Sequence, residues 1–183
     1  MSSCQVLKAY ARICGKNAKT GINPDVYLIA FGDLAPVAGS TEVFTEGVTG
    51  LITEVGLLDD TTNVFVKFGS VLNQGSIKED YTGNDNGTYD VVKQLVFTLL
   101  GMGSVEGRSA VENLFGQPIA ALVKLNSGAW IIGGLNGQMA LKTSSGTVDT
   151  SNNARTLTLS GSDTVLWQTV DPTIISGLIT LND

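Results

Sequence analysis

The stretch Thr88-Tyr89-Asp90-Val91-Val92-Lys93-Gln94-Leu95-Val96-Phe97-Thr98-Leu99 decides the fold. Successive side chains of an extended chain point to opposite faces. Tyr89, Val91, Lys93, Leu95, Phe97 and Leu99 therefore form one row, and Thr88, Asp90, Gln94 and Thr98 belong to the other. An apolar row backed by polar residues at a spacing of two is the pattern of a half-buried strand. Downstream, Ile119 to Leu125 runs into Asn126-Ser127-Gly128 and returns through Ala129 to Gly133, a hairpin closed by a glycine-containing turn. Gly134-Leu135-Asn136-Gly137 then turns the chain into a strand over Gln138 to Thr143. Further strands are predicted over Val26–Phe31, Gly50–Leu57, Asn63–Ser70, Ser76–Tyr81, Arg155–Ser160, Val165–Thr169 and Ile174–Leu181. Short strands separated by turns predict a mainly β fold, an antiparallel β-sandwich or barrel.

Only Ser104 to Phe115 has helical spacing. Ser104 can cap it, Val105, Ala110, Val111 and Leu114 can share a face, and Gly116 with Pro118 stops it. This short α-helix flanks the β domain. Residues 34–47 and 144–153 are rich in Ser, Thr, Gly and Asn, and they read as long loops of the kind that carry function. The chain divides into an extended N-terminal arm, residues 1–24, and a single domain, residues 25–183.

Composition removes whole classes of chemistry. The chain has no histidine, so Ser-His-Asp and Cys-His nucleophile activation and His-rich zinc sites are excluded. Cys4 and Cys14 cannot fill a four-thiolate site; they read as buried free thiols or one local disulfide. No G-x-x-x-x-G-K-[ST] or G-x-G-x-x-G spacing occurs, so the glycine-rich stretches are turns. The pairs Asp59-Asp60 and Glu79-Asp80 read as exposed turn residues, because neighbours on a strand face opposite ways. Asp85-Asn86-Gly87 reads as a turn, not as an ion-binding loop. Trp130 and Trp167 lie in strand-like surroundings without a basic neighbourhood, so they read as core. No catalytic, cofactor-binding or metal-ligating residue is assigned, and the chain is read as a non-enzyme without a small-molecule substrate. No segment has the roughly 20 consecutive apolar residues of a bilayer helix, and the N-terminus lacks the apolar run of a signal peptide. The expectation is a protein that has no membrane partner and is not exported.

Charge is sparse and uneven. Charged residues make up 15% of the chain against the roughly 25% usual in soluble domains, and the net charge is −6. So little surface charge favours association between copies. Residues 40–90 carry Glu42, Glu46, Glu54, Asp59, Asp60, Glu79, Asp80, Asp85 and Asp90 against only Lys67 and Lys78. The first twenty residues carry Lys8, Arg12, Lys16 and Lys19 and no acid. A solvated acidic surface beside a basic arm is one reading. The other is a basic arm meeting the acidic face of a second copy, or an acidic passage that repels nucleic acid.

The order of segments supports a resemblance. The Cys-bearing arm is followed by Val26-Tyr27-Leu28-Ile29-Ala30-Phe31, Phe65-Val66-Lys67-Phe68, Gly75-Ser76-Ile77-Lys78-Glu79 and Asn84-Asp85-Asn86-Gly87-Thr88. The long strand, the helix through Arg108, Leu125 to Gly137 and Arg155-Thr156-Leu157-Thr158-Leu159-Ser160-Gly161 complete it. From about Val26 to Trp167 this order resembles a family of small virion structural proteins of Bacteroidetes phages and prophages, associated with the tail tube. The resemblance implies a β-sandwich with a flanking helix, assembled as stacked rings, commonly hexameric, around a channel through which DNA passes without specific binding. It implies as partners further copies of the chain and other virion proteins. It also implies synthesis and assembly in the host bacterial cytoplasm and a final place in the virion. Glu79, Asp80, Asp85 and Asp90 are then candidates to face the channel, and Lys8, Arg12, Lys16 and Lys19 to form an intersubunit arm. The apolar segment 172–183 extends past the expected end as an extra edge strand or an intersubunit arm. Alternatives are a head-to-tail connector ring, a capsid decoration protein, or a ligand-binding β-sandwich that uses Trp130 or Trp167 as a stacking platform.

Overall fold

The alternation read in the long strand appears directly in its burial: Val91, Lys93, Leu95 and Phe97 are buried, whereas Asp90 and Val92 are exposed. The computed structural model describes residues 22–71, 74–100, 104–148 and 153–179. Its strands are β1 (Ile22–Ala30), β2 (Phe44–Glu46), β3 (Ile52–Val55), β4 (Val66–Gly69), β5 (Ser76–Gly83) and β6 (Tyr89–Leu100). These are followed by α1 (Val105–Glu112), β7 (Ile119–Leu125), β8 (Trp130–Gly133), β9 (Ala140–Val148), β10 (Asn153–Asp163), β11 (Gln168–Val170) and α2 (Ile175–Leu178).

The strands form two sheets, one of seven strands in the order β2-β3-β11-β8-β7-β1-β4 and one of four in the order β5-β6-β10-β9. Every pairing is antiparallel except β11 with β3. The chain is mainly β and its two-sheet arrangement is sandwich-like, as expected.

Leu95 and Phe97 of β6 and Leu157 and Leu159 of β10 meet Val26 and Leu28 of β1 and Ala121 and Val123 of β7. This is the core between the sheets. The intervening residues Tyr27, Ile29, Ala120 and Leu122 project from the other face, where they pack with Ile52, Phe65, Val170, Ile175 and Leu178. Strands β1 and β7 are thus buried on both faces, which explains the unbroken apolar run Ile119-Ala120-Ala121-Leu122-Val123. The segment 172–179 runs from one end of the large sheet toward the other. Asp171 donates its N–H to Ile52 O, and Ile179 bridges to Phe65, just before β4.

Local chemistry sets the boundaries. The Ser104 side chain accepts the N–H of Gly107 at 3.0 Å, and α1 directs Val111 into the inter-sheet core. In the β5–β6 turn, Gly87 takes φ +81°, a conformation open to glycine, while the Asn86 side chain accepts the Thr88 N–H.

Several expectations need correction. The domain starts earlier than residue 25, because Ile22 opens β1 and is buried in the core. The loop expected over 144–153 is largely strand, since β9 continues to Val148 and β10 begins at Asn153. Its Ser/Thr-rich residues are exposed on both sides, so no alternation marked it as a strand. The strand expected over Ile174–Leu181 is a 3-10 turn, Pro172–Ile174, followed by α2. Asp171 starts it by accepting the N–H and hydroxyl of Thr173, which holds the Asp171 carboxyl below its usual range. The loop over 34–47 does occur but ends in β2. Glu79 and Asp80 lie within β5, not in a turn.

Candidate self-assembly surface

The four-stranded sheet has strands of up to twelve residues, long compared with those of the sheet it covers. Its ends consequently outgrow the shared core. From Thr82 to Asp90 the β5–β6 hairpin is exposed on both faces, and Tyr81 and Tyr89 stack on each other with ring centroids 5.7 Å apart.

Directly opposed residues in a sheet share a face. Glu79 opposes Lys93, and Tyr81 opposes Val91, so these belong to the inner face. Asp80 opposes Val92 and Thr82 opposes Asp90, which places both aspartates on the outer face. The four candidate acids therefore do not act together. Asp80 pairs with Lys78 at 2.6 Å, Asp90 is exposed, and Asp85 sits in the turn. Glu79 instead accepts the backbone N–H of Trp167 at 3.0 Å.

Glu79 belongs to a latch between the sheets. The Trp167 indole N–H reaches Lys78 O, and the ring lies so close over Gly133 that a Cβ there would meet it at 2.7 Å. Only glycine fits beneath that ring. Beside it, Lys93 and Asp163 form an ion pair at 2.7 Å with side-chain exposures of 2% and 9%. Asp163 also accepts the N–H of Thr164 at 2.7 Å. Sequence placed Lys93 in the inner row but not its partner, seventy positions away and without a local signature. Trp167 is half-buried as core, and Trp130 is half-buried between Tyr27 and the Lys124 ammonium.

The rest of the outer face is rich in hydroxyls. Thr98, Thr156, Thr158, Ser160 and Ser162 lie on β6 and β10, and Thr143, Ser145 and Thr147 continue the face on β9. Thr98 and Thr156 share a hydrogen bond of 3.0 Å across the strands. Among the described residues no strand pairs with the outer edge of β9 or of β5, although Pro118 bridges to Ala140 at the start of β9 and Lys78 O on β5 takes the Trp167 indole. Because strand direction alternates through β5-β6-β10-β9, the two edge strands run in opposite directions.

Lys8, Arg12, Lys16, Lys19, Cys4 and Cys14 lie outside the described residues, as does the end of segment 172–183 beyond residue 179. Among the described residues no three His, Cys, Asp or Glu side chains come together as a metal site, and no helix is long and apolar enough to cross a membrane. Comparison with protein-family models, with curated proteins and with solved structures finds no match.

Proposed function

We propose that this chain is a structural subunit of a phage virion, a tail-tube protein whose copies form stacked rings around a DNA channel. The observation that supports this reading best is the pair of oppositely directed edges on the four-stranded sheet. In a ring, neighbours are related by rotation and keep one orientation. The β9 edge of one copy then meets the β5 edge of the next antiparallel, and the alternation continues across the boundary without interruption. Each junction satisfies main-chain groups that are otherwise left to water.

A hydroxyl-rich face turned toward the lumen suits the passage of DNA. Lys78 on that face is neutralised by Asp80, and Asp90 adds a negative charge. Cations along the path would release counterions from the phosphates and hold the DNA. A neutral to acidic wall leaves it free to slide.

The test is negative-stain electron microscopy of the purified protein over a concentration series, with mass photometry of the same samples. Rings that stack into hollow tubes are expected. A protein that remains monomeric at high concentration, or one that stops at single rings, overturns the tube reading.

A further inference from the structure

An open groove of about 690 Å3 lies between the loop at 36–38, residues 53–60 and α2. Val37, Val55, Leu57, Ile174 and Leu178 give it apolar walls, and Leu58 beside them is largely exposed. Glu54, Asp59 and Asp60 also line it, and no Lys or Arg does. Asp59 accepts from Thr61 and Thr62, but no described cation pairs with any of the three carboxylates. The described cations lie elsewhere. Lys67, Lys78, Lys93 and Arg108 pair with Asp25, Asp80, Asp163 and Glu112, Lys124 lies over the Trp130 ring, and Lys142 and Arg155 belong to β9 and β10. The others of the eleven, Lys8, Arg12, Lys16 and Lys19, all precede β1, in a stretch that has no acid and includes Val6, Leu7, Tyr10 and Ile13. That stretch offers what the groove lacks, cations for its carboxylates together with apolar side chains for its walls.

We propose that residues 1–12 occupy the groove of their own molecule and bring Lys8 and Arg12 to Glu54, Asp59 and Asp60. The chain is long enough. From Ile22, β1 and the turn Phe31–Asp33 lead to Leu34, which bridges to Leu57 on the groove wall. These 34 − 22 = 12 residues span at most about 40 Å, so twelve residues running back from Ile22 to Tyr10 cover the same distance even if that path is straight. The three residues of the 3-10 turn shorten it, which brings the Arg12 side chain within reach as well. Tethering favours the groove of the same molecule, because a segment on a short linker is present at an effective concentration of the order of millimolar. The inference does not rest on ring assembly, and the intersubunit role expected for these cations is its competitor.

The test uses the full chain with Cys4→Ser and Cys14→Ser. Ala9→Cys is combined with Gly177→Cys or Ala38→Cys in the groove, and with Thr147→Cys on the small sheet as a control. A Cβ at Gly177 meets nothing within 4 Å and Ala38 is exposed, so neither change disturbs packing. Under mild oxidation in dilute solution, a disulfide within one chain is expected to form at both groove positions roughly tenfold faster than at the control. Glu54→Lys with Asp60→Lys in the Gly177→Cys chain should slow it roughly tenfold, and so should salt at about 1 M, where charges are screened beyond about 3 Å. In a mixture of isotope-labelled and unlabelled chains, mass spectrometry should find linked peptides that are wholly heavy or wholly light. Groove positions that react no faster than the control, or rates indifferent to the charge reversal, overturn the proposal. Peptides that join a heavy to a light chain overturn it too, and assign the groove to the basic segment of a second copy. Either result leaves ring formation, read by microscopy, as a separate question.

Discussion

The two sheets solve different problems with similar amounts of strand. In the large sheet β1 and β7 are sealed on both faces, and their side chains are apolar almost without interruption. The small sheet is sealed on one face only. Its other face carries hydroxyls and few charges, its ends project past the core, and its single buried charge pair faces inward. The large sheet therefore buries two of its strands completely, while the small sheet gives one face to the shared core and leaves its ends overhanging. On the ring reading proposed above, pairing between copies and monomer stability rest on different parts of the molecule, so each can be perturbed separately.

The largest effect is expected where the small sheet departs from its own pattern, at the buried ion pair. Asp163→Ala leaves the Lys93 ammonium buried without a partner and should cost about 3–5 kcal/mol, read as a fall in the urea midpoint. Lys93→Met combined with Asp163→Leu should recover most of that loss. If the double variant is no better than the single one, the pair does not act as a unit. Next in size, Leu122→Ala in the doubly buried strand should cost about 3 kcal/mol by leaving a cavity, whereas Thr158→Ala on the outer face of the small sheet should stay within about 0.5 kcal/mol. Similar costs for these two would erase the distinction between the sheets.

A third variant sharpens the same contrast. Ser144→Lys with Val148→Lys places charges on the exposed inner-face row of β9, a device that protects sheet edges from pairing. Urea unfolding of the monomer should move by no more than about 0.5 kcal/mol, while ring formation by mass photometry should disappear.

The smallest effect concerns acid. The Asp59 carboxyl is held down to about 2 from an ordinary 3.8, chiefly by the Thr61 hydroxyl and backbone N–H and then by Thr62. A carboxyl with a depressed folded value stabilises the protein above the unfolded value and loses that contribution as pH falls through the folded one. The difference in melting temperature between the native chain and Asp59→Asn should therefore be fully present above about pH 4 and vanish near pH 2. A difference that stays constant across this range would show that these hydrogen bonds do not distinguish the folded state.

What the sequence made legible follows the same division. The Thr88–Leu99 alternation and the Ile119–Gly133 hairpin could be read because burial on one face, or on two, leaves a periodic mark on residue type. Strand β9 is legible only as far as Thr143, because its second half, 144–148, is exposed on both faces and carries no such mark, and Ser144-Ser145-Gly146 resembles a loop. The segment 172–179 departs from its expected strand for another reason: Ile174, Ile175 and Leu178 have the apolar character of a short strand, but Asp171-Pro172-Thr173 is a helix-start sequence and sets the local conformation. The Lys93–Asp163 pair and the Trp167 ring over Gly133 join distant segments, so no local window contains them.

The position of β11 has a consequence for how the molecule is made. It lies between β3 and β8, yet it is the last of the described strands, so the seven-stranded sheet exists as two fragments until residues 168–170 are available. A ribosome synthesising at about 5–20 residues per second must add residues 56–167 after β3 before β2 and β3 can join the rest of that sheet. The β2–β3 hairpin therefore gains its place in the sheet only after residues 168–170 have been made.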